Sequence, residues 1–67
     1  MSHSLYCYLK RRTTEELKNI LHLCVDDVES AINREVVRLT VNILLERNPN
    51  TLVQLPVELL ERLAYFM

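Results

Sequence analysis

The 67-residue sequence predicts a small all-α domain. Three observations carry that prediction. Apolar residues recur at helical spacing through most of the chain. Helix-start chemistry stands at Thr13 and at Pro56. The one stretch that alternates with the period of a strand is short, and the chain has no second strand to pair with it.

That stretch lies in residues 1–12, MSHSLYCYLKRR, where Leu5, Cys7 and Leu9 alternate with Tyr6, Tyr8 and Lys10. Period-two spacing predicts an N-terminal arm or short extended segment, which would pair with a copy of itself across a dimer axis. A frayed terminus and an early helical turn are the competing readings. Residues 13–67 read as a single helical domain.

Thr13-Thr14-Glu15-Glu16 matches the capping box, and its two acids suit the positive end of a helix dipole. Leu17, Ile20, Leu21, Cys24 and Val25 then recur at helical spacing, so the first helix is expected over about 14–25. Asp26 with Glu29 repeats the cap-and-box pattern. A tight break near residues 25–27 is therefore preferred to one continuous helix about 50 Å long.

The central helix is expected over 27–47, and it is apolar on two sides. With residues about 100° apart, Val28, Ile32, Val36, Leu39 and Ile43 share an arc of roughly 80°, while Val37, Val41, Leu44 and Leu45 share another of about 100°. Arg34, Glu35, Arg38 and Asn42 form the polar seam between them. The first arc is assigned to the preceding helix of the same chain, the second to another subunit. Asn48-Pro49-Asn50 ends the helix, because the residue before a proline leaves the helical region and the proline cannot donate. Residues 51–55 connect to Pro56, placed as the first residue of a third helix over 56–67. On that helix Val57, Leu59, Leu60, Leu63, Ala64, Phe66 and Met67 oppose Glu58, Glu61, Arg62 and Tyr65.

Composition bounds the assembly. A domain this small buries only about 60% of the surface of its unfolded chain. Yet 49% of the residues are apolar, and 13 Leu, 7 Val and 3 Ile account for 23 of the 67. The excess predicts burial between subunits, hence a homodimer through the central and third helices, with interface candidates Val37, Val41, Leu44, Leu45, Leu59, Leu63 and Phe66.

Net charge is −1 and pI about 6.1, so no global basic field draws nucleic acid. The cationic run Lys10-Arg11-Arg12, with Tyr6 and Tyr8, is the candidate anion or nucleic-acid contact. The sequence Arg11-Arg12-Thr13-Thr14 also fits a basic-directed kinase site. Cys7 and Cys24 form at most one bridge, and no apolar h-region precedes them, so reduced thiols in the cytoplasm are expected. No run of about 18 apolar residues suggests a membrane span. The absence of glycine removes the phosphate-binding loop and the Rossmann fingerprint.

His3, Cys7, His22 and Cys24 match no standard zinc spacing, and on an intact helix His22 and Cys24 point about 160° apart. A Cys7–His22 thiol–base pair has no orienting group or oxyanion donor beside it. No catalytic residue, metal or cofactor is expected.

The order of a short extended segment and two helices over residues 4–47 resembles the ribbon-helix-helix layout of dimeric transcriptional regulators. That resemblance implies base contacts from Tyr6, Tyr8 and Lys10, although the glycine turn between the helices is missing. Gln54-Leu55-Pro56-Val57-Glu58-Leu59-Leu60 is similar to the opening of an F-box, and Leu55-Pro56 with Leu60 and Tyr65 is similar to the end of a SOCS box. Both imply ubiquitin-ligase adaptors. Leu39–Leu44 with Pro49 is similar to a helix of the haemolysin-expression-modulating nucleoid proteins. The leading expectation is a nonenzymatic protein-interaction or regulatory module acting as a helical homodimer. The alternative is a dimeric, DNA-associated regulator.

Overall fold

The computed structural model describes residues 2–27 and 29–65. They form α1 (Ser2–Lys10), α2 (Thr14–Cys24), α3 (Ala31–Arg47), a 3-10 helix (Pro49–Gln54) and α4 (Val57–Ala64), with no strand among the described residues. α1 replaces the expected extended arm. Leu5 and Leu9, which alternate with the tyrosines as in a strand, are also one helical turn apart. Leu9 is fully buried and Leu5 packs against the same core. An unpaired strand would leave its ladder groups to water, whereas a helix satisfies most of its backbone within itself.

α2 begins as the sequence requires. The Thr13 hydroxyl accepts from the Glu16 amide at 3.1 Å, and the Glu16 carboxylate accepts from the Thr13 amide at 2.9 Å. The helix closes on Val25, whose amide donates to the Leu21 carbonyl at 3.0 Å. The break that follows extends through residue 30. Ser30, not Asp26, caps α3, its hydroxyl accepting from the Asn33 amide at 3.3 Å. The central helix thus starts at Ala31 rather than near residue 27, because this hydroxyl satisfies one of the amides a helix start leaves open. Val28, assigned to the first apolar arc, lies outside the described residues.

Asn48 ends α3 and opens the next element, its side-chain oxygen accepting from the Asn50 amide at 3.0 Å while Pro49 occupies the first turn. The expected connector is therefore a 3-10 helix, which buries Thr51. Pro56 stands just outside α4 and accepts from the Leu60 amide at 3.1 Å. Phe66 and Met67, expected at the end of this helix, lie outside the described residues.

α1, α2 and the 3-10 helix all pack on α3. One core joins Leu9, Leu17, Leu21, Val25, Val37, Val41, Ile43, Leu44, Leu55, Leu59 and Leu63. Val37, Val41, Leu44, Leu59 and Leu63, expected at an interface between subunits, are instead inside a single chain. The two expected arcs of the central helix merge across Thr40, which is 0% exposed. On the helical wheel Thr40 lies about 60° from Ile43 and about 40° from Leu44, so it fills the gap between the arcs. Arg34, Arg38 and Asn42 face water, and Glu35 is half-buried. Ile32, placed on the intramolecular stripe, is 66% exposed.

The molecule measures 30 × 28 × 17 Å, a slab less than two helix diameters thick. So thin a body cannot enclose all its apolar side chains. Leu23, Ile32, Val53, Val57 and Tyr65 stand largely in water. No helix among the described residues is long and apolar enough to cross a membrane.

Candidate functional site

The last turn of α2 and the start of α4 enclose a cleft of about 290 Å³ lined by His22, Val25, Asp26, Pro56, Glu58, Leu59 and Arg62. α2 places His22 outward because its neighbour Leu21 is turned into the core. Proline starts α4 at a fixed angle, and helical spacing then sets Leu59 inward while Glu58 and Arg62, one turn apart, border the opening. Val25 and Leu59 are buried and form an apolar floor. Arg62 donates to the Asp26 carboxylate across the cleft, an exposed ion pair between α4 and the loop after α2.

Two shallower hollows continue past this ion pair. One, of about 490 Å³, is bounded by Val25, Asp26, Arg62 and Tyr65. The other, of about 410 Å³, is bounded by Glu61, Ala64 and Tyr65. Tyr65 divides them and is 85% exposed. An apolar floor under a rim of mixed charge is the arrangement found at protein interfaces.

Of the expected interface set, Leu45 alone has an exposed side chain among the described residues; Phe66 lies outside them. Sequence reasoning put Arg62 on the wet face of its helix but gave no hint of Asp26 as its partner. The two are 36 positions apart, and local pattern carries no information at that separation.

The expected cationic contact is taken up within the chain. Lys10 donates to Glu46 at 3.0 Å and to the Tyr6 hydroxyl at 3.1 Å, and it sits 5.3 Å from the Tyr6 ring centroid. The hydrogen bond from Lys10 holds the Glu46 carboxyl below its usual range, and Glu46 in turn raises the lysine. Arg12 lies 4.8 Å from the Tyr8 ring centroid and 3.8 Å from the Glu16 carboxylate. The Thr13 amide is the main cause of the lowered Glu16 pKa. Arg11 is left exposed. The helical α1 also removes the ribbon from which Tyr6, Tyr8 and Lys10 would reach base edges.

The soft side chains are arranged differently from either sequence pairing. Cys7 meets His3, not His22, with Sγ 3.7 Å from Nε2 on the exposed side of α1. Cys24 is half-buried and unbridged, and burial pushes its thiol pKa up. The raised pKa disfavours the thiolate, the form that acts as a nucleophile.

In comparisons with known proteins, the chain matches no family model, no curated protein and no solved structure.

Proposed function

We propose that this protein is a small nonenzymatic interaction module that self-associates as a homodimer through the groove between α2 and α4. The observation that carries the reading is the make-up of that groove. Its floor is apolar, its rim carries Asp26 and Glu58 against Arg62, and Tyr65 projects at one end. A twofold contact uses the same patch on both subunits, so the patch must complement itself. A rim bearing both signs meets that requirement, and an exposed tyrosine is a common interface anchor. The apolar side chains left in water by the thin slab support the same conclusion.

A DNA-associated regulator using residues 6–12 has less support, because Lys10 and Arg12 already face Glu46 and Glu16. A cytoplasmic location is part of the proposal, and free thiols at Cys7 and Cys24 are compatible with it.

Sedimentation velocity in a chelator-containing buffer tests the reading. The chain should run as a dimer at micromolar concentration, and Tyr65→Glu should run as a monomer with unchanged helix content. A native chain that stays monomeric overturns it, as does a Tyr65→Glu variant that still dimerises.

A further inference from the structure

We propose that His3 and Cys7 form one half of a tetrahedral site for a soft divalent cation, Zn²⁺ in the first instance, closed by the same pair from a second copy of the chain. The two residues occupy positions i and i+4 of α1, so their side chains stack on one face. Their ligand atoms, Cys7 Sγ and His3 Nε2, are 3.7 Å apart. Tetrahedral zinc with a sulfur at about 2.3 Å and a nitrogen at about 2.05 Å requires a separation of about 3.6 Å between them. Little side-chain movement is therefore needed to place a cation between the two atoms.

The surroundings leave this face open. α1 turns Leu5 and Leu9 toward the core, while His3, Ser4 and Cys7 are exposed. Lys10, on the same helix, is held by Glu46 and Tyr6. No group of three or more His, Cys, Asp or Glu side chains able to hold a metal occurs among the described residues. One chain thus offers two ligands where structural zinc takes four. A second α1 facing the first supplies the other two and gives a Cys₂His₂ set. This also explains why the sequence spacing matches no single-chain zinc pattern. Each cation binds two thiolates and two neutral imidazoles and releases two protons to solvent, with no change of oxidation state.

This site lies on α1, so it does not depend on the α2–α4 groove. Cobalt(II) titration tests it, because a cysteine thiolate bound to this probe gives a charge-transfer absorption. The band should saturate at one cobalt per two chains. The sedimenting mass should rise with it, and chelator should reverse both. His3→Ala and Cys7→Ala should each abolish the response and Cys24→Ala should not, with helix content followed by circular dichroism. Cys7→His, which keeps a ligand, should retain cobalt-dependent association without the thiolate band. A band that persists in Cys7→Ala, saturation at one cobalt per chain without association, or no band at all would overturn the proposal. Dimerisation through the groove is read separately, in chelator, where this site is empty of metal.

Discussion

The Arg47 guanidinium, in the last turn of α3, donates to the carbonyl oxygen of Lys10, the last residue of α1, at 2.9 Å. The same nitrogen reaches the Arg12 carbonyl at 2.8 Å, and its neighbour reaches the Thr14 hydroxyl at 3.4 Å. A side chain of the central helix thereby caps α1, whose last carbonyls have no partner within their own helix. Glu46, one residue earlier, holds Lys10 from the side.

Arg47→Met should loosen the junction between α1 and α2. The loss in global stability is about 1 kcal/mol, kept small by exposure of the pair of bonds to water. Amide exchange in α1 should accelerate more than in α2. Arg47→Lys should restore part of the loss, because both carbonyl bonds come from one nitrogen, whereas the contact of the second nitrogen with Thr14 needs the guanidinium.

The core assignment predicts an order of severity. Leu44→Ala, at a fully buried position, should cost about 2–5 kcal/mol. Leu39→Ala, at a half-buried one, should cost less. Val41→Asp puts an unpaired carboxylate where the native side chain is 2% exposed, and should prevent folding rather than dissociate a folded dimer. Urea unfolding followed by circular dichroism ranks the three.

Thr40 has no hydrogen-bond partner among the described residues for its fully buried hydroxyl. Replacing it with Val removes an unsatisfied polar group at nearly constant shape and should stabilise the fold by about 1 kcal/mol. A lower melting temperature for Thr40→Val would show that the hydroxyl is needed.

Four shifted groups set the pH profile. Glu46 and Glu16 are lowered from an ordinary value of 4.5, so their contributions are complete above it and disappear as pH falls through the folded values. Lys10 is raised from 10.5 by its hydrogen bond to Glu46 and Cys24 from 9.0 by burial, so stability is complete below those values and falls as pH rises through the folded ones. Glu46→Gln should remove most of the Lys10 part of the alkaline limb and leave the part that belongs to Cys24, together with the part of the acid limb that belongs to Glu16. Added salt should weaken the Lys10–Glu46 pair, which is half exposed.

Much of the fold was legible locally. The Thr13–Glu16 capping box, the proline stops and the two main helices all follow from residues within one turn of each other. The N-terminus was not, because Leu5-x-x-x-Leu9 fits both a strand and a helix. Only burial of Leu9 against the core decides between them. The faces of α3 were misassigned for a specific reason. Thr40 belongs to neither apolar arc by residue type, although a threonine in the middle of a packed face can be buried like a valine. The groove was out of reach altogether, since it depends on Asp26 meeting Arg62 across the chain.

Amide hydrogen exchange, compared between dilute and concentrated protein in chelator, tests the central claim most directly. Self-association through the groove predicts concentration-dependent protection confined to residues 22–26 and 57–65. Protection that is independent of concentration, or that rises on α1 or the Arg34–Arg38 face instead, would contradict it.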